Sequence, residues 1–209
     1  MAIKEPRRAA IGLLYEMDGH LEQKNLSTLR SFSSKELFLI KTILDKKINS
    51  PLTSSAGRLF DAVASLIELR QINRYEGQAA MELEFKLDNE NTDDCYDFEL
   101  NSYKNLGNSL FHLVNWEIMI GQVLSDRDND ISAGIISKKF HNTLSEIIIA
   151  IAKKVQEPKV VLSGGCFQNR YLVEHTVQRL QEEQFLPYWH QRIPPNDGGI
   201  AVGQIATII

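Results

Sequence analysis

Apolar residues recur at helical spacing through most of the chain before residue 156. Near the start, Ala9, Leu13, Leu14 and Met17 keep this spacing, which places their side chains on one face of a helix. The same period returns in several later segments. The pattern predicts helices over residues 5–20, 34–47, 56–69, 77–85, 108–124 and 130–155.

The last part of the chain alternates short apolar runs with helical patterns. Val160, Val161 and Leu162 form a run with the length and composition of a buried strand. When a helix connects two strands, the strands usually pair in parallel. This region is therefore predicted to be a βαβα unit. The predicted order is a strand over 159–163, a helix over 165–181, a strand over 185–189 and a last helix from Gly198.

The order of these elements predicts an α/β fold that is rich in helix. A helical part covers about residues 1–155, and the βαβα part covers about residues 156–209. Two parallel strands alone do not make a stable sheet. We therefore expect further strands from the middle of the chain, where residues 95–102 are predicted to be a strand, or from a larger structure that includes this chain.

Residues 88–97 are the most polar stretch of the chain and are predicted to be a surface loop. A calcium-binding loop would need ligands at alternate positions around a central glycine, and this stretch contains no glycine. A solvated acidic face is therefore favoured over a cation site.

Composition and charge exclude several classes of function. The chain has 209 residues and a formal net charge of −4, so no electrostatic attraction to nucleic acid or to an anionic membrane is expected. No apolar run reaches the roughly 18 residues that a membrane span needs. The first residues lack the apolar core of a signal peptide. Cys95 and Cys166 are too few for a disulfide framework, and reduced thiols fit a cytoplasmic location.

Local spacing predicts neither a histidine metal site nor a nucleophilic catalytic set. No two histidines have the i, i+4 spacing of a helical metal site. Each histidine is interpreted as a surface or core residue; they are His20, His112, His141, His175 and His190. Cys166 has no base beside it in the sequence, so a small apolar side chain is favoured over a catalytic thiol.

Two glycine pairs mark the most specific candidate site. Ser163, Gly164 and Gly165 follow the predicted strand 159–163 and open a helical pattern, and a second pair, Gly198 and Gly199, opens the last helix. Glycine lets backbone approach a ligand closely, and the start of a helix offers unpaired N–H groups to a phosphate. The two turns therefore predict a nucleotide or phosphate cleft. An ordinary tight turn between strand and helix is the alternative for either one.

Further polar candidates lie at the starts of other predicted helices. Asp61 lies one turn beyond Gly57, so its carboxylate could accept the hydroxyls of a ribose while Arg58 meets a phosphate. A capped helix with a local Arg58–Asp61 pair is the alternative. Glu76 could reach a ligand or stabilise the positive end of a helix. Asp197 could contact a metal ion or a phosphate-bound cation, or it could cap the last helix.

Four segments resemble the C-terminal part of the hydrogenase maturation carbamoyltransferase family, HypF. They occur in the family's order and span nearly the whole chain, and Phe140–Leu144 is a weaker match. The four segments are Thr53–Ala64, Tyr75–Glu84, Leu162–Arg170 and Pro194–Gln204.

The resemblance implies one lobe of an actin/sugar-kinase/Hsp70-like fold, with bordering helices. This lobe would be the second of the Kae1-like domain, and a nucleotide would lie between the two lobes. The family forms carbamoyl adenylate from carbamoyl phosphate and ATP. It then passes the carbamoyl group to the C-terminal cysteine of a partner protein, HypE, where it becomes the cyanide ligand of nickel–iron hydrogenase.

The resemblance also implies roles for individual residues. Gly164, Gly165 and Asn169 would contact the adenylate. Gly57 and Asp61 would lie near its ribose, and Arg58 and Glu76 would border the same pocket. Asp197 would be a ligand of a divalent metal ion, iron or zinc, which polarises the carbamoyl carbonyl and is shared with the missing lobe.

The chain departs from the family's full pattern. It has no Cys-x-x-Cys pair and no paired-histidine motif, so we expect a C-terminal fragment or a split piece that does not turn over alone. The missing lobe should leave an apolar face that favours self-association or a partner. The resemblance leaves two alternatives open: a small-molecule O-carbamoyltransferase fragment, and a non-catalytic module for protein contacts.

Overall fold

The computed structural model describes residues 2–19, 26–87, 90–104 and 110–207. The chain forms two compact units. The first comprises Met1–Asn89 and Val123–Gly134, and the second comprises Glu90–Gln122 and Ile135–Ile209. Within the described residues, no helix is both long and apolar enough to cross a membrane.

The first unit is built from helices. Helix α4 is its centre, because every residue from Phe60 to Leu66 is buried. Helices α1 and α5 both pack against α4, and Thr28 on α2 donates its hydroxyl to the carbonyl of Ser65 at 2.9 Å. The helices are α1 (Pro6–Asp18), α2 (Ser27–Arg30), α3 (Ser34–Asp45), α4 (Ala56–Leu66) and α5 (Gln78–Phe85).

Local sequence signals set several of these helix ends. Pro6 lies in the first turn of α1, where its missing N–H is not needed, and Gly19 ends the helix with a φ of +65°. Ser33 and Glu36 form a reciprocal capping box at the start of α3. Helix α4 differs, because the side chain of Ser55 at its N-cap makes no capping hydrogen bond.

The second unit contains both sheets. Strands β1 (Glu99–Lys104) and β2 (Leu110–Asn115) form an antiparallel pair. Strands β3 (Lys159–Leu162) and β4 (Leu186–Trp189) pair in parallel, with Lys159 opposite Leu186 and Leu162 opposite Trp189. Within the described residues, the remaining α-helices are α6 (Glu117–Asp128), whose residues are divided between the two units, α7 (Ala133–Val155), α8 (Arg170–Glu182) and α9 (Ile200–Ala206).

The parallel sheet has one buried and one open face. Leu162 packs in a core with Ile149, Ala152, Val177 and Leu180. Because side chains alternate across a strand, the opposite face carries the neighbouring positions. There, Val161 is 70% exposed, Leu186 53% and Tyr188 50%. This unit therefore presents an uncovered apolar sheet face.

The α/β, helix-rich class and most of the predicted elements are confirmed, including the parallel strands and the helix between them. One prediction is wrong: residues 110–115 form β2 instead of part of a helix over 108–124, and α6 begins only at Glu117. The run Leu110–Asn115 is apolar without a clear period, and pairing with β1 decides its conformation. Residues 108 and 109 lie outside the described residues.

Smaller differences concern other predicted elements. The strand predicted over 95–102 is found at Glu99–Lys104, and the short helix α2 was not predicted. The predicted helix 165–181 begins as a 3-10 turn, Gly165–Gln168, before α8 starts at Arg170. The predicted loop 88–97 lacks regular structure over 90–97, and residues 88 and 89 lie outside the described part. His20 also lies outside it.

Candidate functional site

The turn after β3 has a backbone that only glycine adopts readily. Gly164 has a φ of +105° and a ψ of 163°, in a region that side chains disfavour. The 3-10 turn Gly165–Gln168 follows, and Phe167 donates its N–H to the carbonyl of Gly164 at 3.0 Å. The sequence-predicted glycines therefore form a tight turn at the carboxyl end of a parallel strand, where ligands of α/β folds bind.

The two predicted glycine turns lie side by side. The backbone N–H of Gly164 donates to the carbonyl of Pro195 at 2.9 Å. In the second turn, the side chain of Asn196 accepts from the N–H of Gly198 at 3.0 Å. The adjacency of the two turns, which the sequence could suggest only from their spacing, is thus a direct hydrogen-bonded contact.

The glycines of the two turns face different surroundings. A Cβ added at Gly199 would lie 2.7 Å from the carbonyl oxygen of Pro194, so the fold itself requires glycine there. A Cβ added at Gly165 would meet no protein atom within 4 Å. Since Gly165 also lacks a positive φ, no feature of the fold demands its lack of a side chain. The open space beside it suits a ligand that approaches the backbone.

A histidine that sequence reasoning did not select contacts the residue that begins the turn after β3. His190 follows β4, and its Nε2 lies 3.0 Å from the hydroxyl of Ser163, the residue that follows β3. The sequence offered one signal for this contact: Ser163 and His190 directly follow the carboxyl ends of the two paired strands.

Asn169 connects the turn to α8. Its side-chain oxygen accepts the N–H of Leu172 at 2.8 Å and so caps the helix. Its side-chain nitrogen lies 2.9 Å from Nε2 of His141. Asn169 is only 8% exposed. Its side chain is therefore engaged within the protein, and a contact with adenylate stays a prediction.

Asp197 is exposed at the start of the second turn. The capping alternative is wrong for this residue, because the last helix, α9, has Gly199 at its N-cap and no side-chain capping hydrogen bond. In the described part of the chain, no group of three or more His, Cys, Asp or Glu side chains could hold a metal ion. The described residues alone therefore do not complete a metal site, and Asp197 could offer a metal ion only a single ligand.

The candidates on α4, in the first unit, form a closed arrangement. Arg58 and Asp61 make an ion pair, which is the local pairing that the sequence left as an alternative. The side chain of Arg58 is 25% exposed and that of Asp61 is 2% exposed. Burial raises the pKa of Asp61 to about 6, against the opposing effect of Arg58. Gly57 lies in the first turn of this helix, next to Arg58.

Glu76 lies on an exposed turn before α5, where Gly77 has a φ of +76°. Two residues of the same segment that sequence reasoning missed hold this turn. Gln78 accepts the backbone N–H of Arg74 at 2.7 Å and donates to Glu82 at 2.9 Å. Glu82 in turn pairs with Arg70. Glu76 is thus presented by a fixed turn, and its ligand contact stays a prediction.

A known protein family matches nearly the whole length of this chain. The model of "Carbamoyltransferase, Kae1-like Domain, second subdomain" matches residues 1–204. The carbamoyltransferase HypF of Synechocystis sp. is 36% identical over 222 residues, covering 100% of this chain and 28% of that protein. The probable carbamoyltransferase HypF of Methanocaldococcus jannaschii is 28% identical, covering 98% of this chain and 26% of that protein.

Solved structures give the same relationship. A crystal structure of full-length HypF in the phosphate- and nucleotide-bound form superposes with a TM-score of 0.83 at 35% identity, covering 97% of this chain and 26% of that one. The structure of HypF from T. kodakarensis, at 24% identity and a TM-score of 0.76, agrees in fold. The chain spans about a quarter of the length of these relatives.

The helix-rich α/β fold and the paired glycine turns define a lobe of the Kae1-like carbamoyltransferase class. Within that class, the chain belongs to the HypF family, and it corresponds to the second subdomain of the family's Kae1-like domain. The family predicted from the four sequence segments is confirmed.

Proposed function

We propose that this chain is the nucleotide-binding second lobe of a HypF-type carbamoyltransferase domain. The observation that carries the proposal is the bond from Gly164 to Pro195, which holds two glycine turns together beside the open space at Gly165. The adenylate part of carbamoyl adenylate, or ATP, would bind there. The nucleotide-bound form of the full-length HypF structure supports this for a relative.

Each turn residue has a physical role in this proposal. Gly164 provides the positive φ that turns the chain sharply after β3, and Gly165 leaves the room that a phosphate or sugar needs. Asn169 fixes the start of α8, whose positive end favours an anionic group. These residues bind and orient the nucleotide, and they exclude side-chain atoms from its path.

The α4 candidates would act on the same ligand class. Arg58, which is partly exposed, would meet a phosphate of a nucleotide, with Gly57 beside it, and Glu76 on its own exposed turn is a further candidate contact. A ribose contact by Asp61 requires that the buried ion pair with Arg58 opens, because the Asp61 carboxylate is almost inaccessible.

The proposal includes partners because the chain spans only about a quarter of the length of its HypF relatives. The first lobe would supply the remaining ligands of a divalent metal ion, iron or zinc, to which Asp197 contributes one carboxylate. The carbamoyl group would pass to the C-terminal cysteine of a HypE-like protein in the cytoplasm during hydrogenase maturation. The open apolar face of Val161, Leu186 and Tyr188 supports packing against the first lobe or a second copy. Turnover by this chain alone is not expected.

Calorimetric titration with ATP and AMP tests the proposal, with this chain alone and with the first subdomain of a HypF protein added. We expect binding that Gly165→Ala weakens, because the new methyl group would occupy the ligand's space while meeting no protein atom within 4 Å. Gly12→Ala is the matched control, since a Cβ there also meets nothing within 4 Å and the position lies on α1.

Two results would contradict the proposal. One is the absence of nucleotide binding in both preparations. The other is binding by the wild type that Gly165→Ala leaves unchanged, which would put the nucleotide elsewhere. Binding only when the first subdomain is present would support a cleft that needs both lobes.

A further inference from the structure

The segment Phe140–Leu144 carries a buried histidine that the proposed function does not yet use. His141 lies on α7 and is 0% exposed. A histidine is seldom buried without partners, since its ring carries two polar nitrogens. Here, both nitrogens have partners within hydrogen-bonding distance, and they connect α7 to the turn after β3.

The hydrogen bonds of His141 define its tautomer. Nδ1 lies 2.7 Å from the backbone carbonyl of Ser137, which can only accept, so Nδ1 carries the proton. Burial lowers the pKa of His141 to about 4, so the ring is neutral at physiological pH. Nε2 is then an acceptor, and it lies 2.9 Å from the side-chain nitrogen of Asn169.

The same orientation of Asn169 is required from its other side. The side-chain oxygen of Asn169 accepts the N–H of Leu172 at 2.8 Å, so the amide nitrogen must face His141. Two separate bonds, one to the helix start and one to the buried ring, therefore agree on a single orientation of this amide.

Asn169 ends the glycine turn whose other end is held by Pro195. Gly164 bonds to Pro195 at 2.9 Å, and the backbone N–H of Asn169 donates to the carbonyl of Cys166 at 3.2 Å. Because Asn169 both ends the 3-10 turn and caps α8, its orientation sets where the turn gives way to the helix. A change at His141 would reach the turn through this amide.

We propose that His141 is a positioning residue of the nucleotide site. Its Nε2 holds the amide of Asn169 in the orientation that caps α8 and shapes the Gly164–Gly165 turn. The inference rests on the proposed function, because the turn is the part of the site that it positions.

The neighbouring residues of the segment do a different task and provide a control. Thr143 accepts the backbone N–H of Tyr96 at 2.8 Å and donates to the carbonyl of Lys139 at 2.7 Å. The first of these bonds fastens the segment 90–97 to α7, and neither of them involves Asn169. Thr143→Val removes a buried hydroxyl from the same helix without changing the contact of His141 with Asn169.

The test has a spectroscopic arm and a binding arm. In the first, 15N-labelled histidine in the intact chain should show His141 as the Nδ1–H tautomer at neutral pH. Asn169→Asp should place a proton on Nε2, because the carboxylate cannot donate to it.

In the binding arm, ATP and AMP are titrated into the variants under the conditions where the wild type binds. His141→Leu should weaken binding by about tenfold, the order of one lost hydrogen bond. His141→Gln, whose side-chain oxygen can accept from Asn169, should bind close to wild type, and so should Thr143→Val despite its lower stability.

The outcomes separate the two proposals. A wild type that binds no nucleotide, either alone or with the first subdomain added, overturns the proposed function. A wild type that binds, together with a His141→Leu variant that binds equally well, overturns only the positioning role. An Nε2–H tautomer in the wild type, or equal weakening by His141→Leu and Thr143→Val, would also overturn the positioning role.

Discussion

Two candidate regions differ in what occupies the start of a helix. One is the start of α4, and the other is the turn after β3. At α4, a side-chain ion pair joins Arg58 in the first turn to Asp61 in the second, with the carboxylate buried. After β3, the entry consists of glycine backbone with open space at Gly165. The sequence pattern of a helix start therefore does not tell whether side chains of the protein occupy the space beside it.

The energetic demands of the two regions differ as well. Burying the Asp61 carboxylate is unfavourable, and Arg58 offsets it, so this region depends on charge balance. The glycine turn buries no charge, and it depends on backbone geometry, on the fit of Gly199 and on the neutral ring of His141. Changes of charge should therefore act on the first region, and changes of volume on the second.

The largest expected effect is the loss of the ion pair on α4. Arg58→Met should lower the free energy of unfolding by roughly 3–5 kcal/mol at pH 8, because it leaves the buried Asp61 carboxylate without an opposite charge. At pH 5 the loss should be smaller, since the raised pKa lets Asp61 hold a proton. Urea denaturation at both pH values measures this.

The double variant Arg58→Met with Asp61→Asn is the control for that change. With neither charge present, most of the lost stability should return. An equal loss at pH 5 and pH 8 would show that packing of the Arg58 side chain, and not charge, decides the effect.

The next effect is a response to acid that differs in sign between the regions. The folded pKa of His141 is about 4, below the ordinary 6.5, so the unfolded chain takes up its proton first as the pH falls. The stabilisation of the folded state that neutral His141 provides is fully present above pH 6.5 and is lost as the pH falls toward 4. Between pH 7.5 and 4.5, it should lower the free energy of unfolding by about 2.5 kcal/mol.

Asp61 should act in the opposite direction over nearly the same window. Its folded pKa is about 6 against an ordinary 3.8, so its contribution falls as the pH rises from 3.8 to 6. Relative to wild type, His141→Gln should therefore flatten the acid loss, and Asp61→Asn should steepen it. Identical pH profiles for the two variants would contradict both assignments.

A third prediction compares two glycines of the linked turns. Gly199→Ala should cost about 2 kcal/mol of stability, because its Cβ would lie 2.7 Å from the backbone oxygen of Pro194. Gly165→Ala should change stability by less than about 0.5 kcal/mol, since no protein atom lies within reach. Thermal or urea unfolding of the two variants distinguishes them. Equal losses would mean that Gly165 is a structural glycine, not a glycine kept for a ligand.

The smallest expected effect concerns an exposed ion pair at the start of α8. Arg170 and Glu174 lie 2.7 Å apart with side chains 83% and 63% exposed. Glu174→Gln should change the urea midpoint less than any of the variants above, because water screens such pairs. Urea denaturation in low and high salt measures it. A loss of stability as large as that of Arg58→Met would contradict the claim that burial makes an ion pair important for stability.

Much of the fold could be predicted from local pattern. Helices α1, α3, α4 and α7 follow their apolar period, and the parallel pair follows from two short apolar runs with a helix between them. The failure at Leu110–Asn115 has a physical reason: its conformation depends on pairing with β1, a contact between segments.

The candidate site could be predicted in part. Gly164 and Gly165 were found because the loss of Cβ atoms is visible in the sequence, and Gly164 does occupy a positive φ. The roles of His141 and His190 could not be found in this way. His141 lies 28 residues from its partner Asn169, and His190 lies 27 residues from its partner Ser163. No local spacing in the sequence indicates such a contact.

The sequence by itself determined the helical periods, the two glycine turns and the membership of the HypF family, because residue type and spacing are local properties. Tertiary structure decided that Gly164 bonds to Pro195 and that His141 meets Asn169. It also decided that Asp61 is buried against Arg58. Such contacts depend on which segments meet when the core forms, and the free energy of burial, rather than the local preference of any residue, selects them.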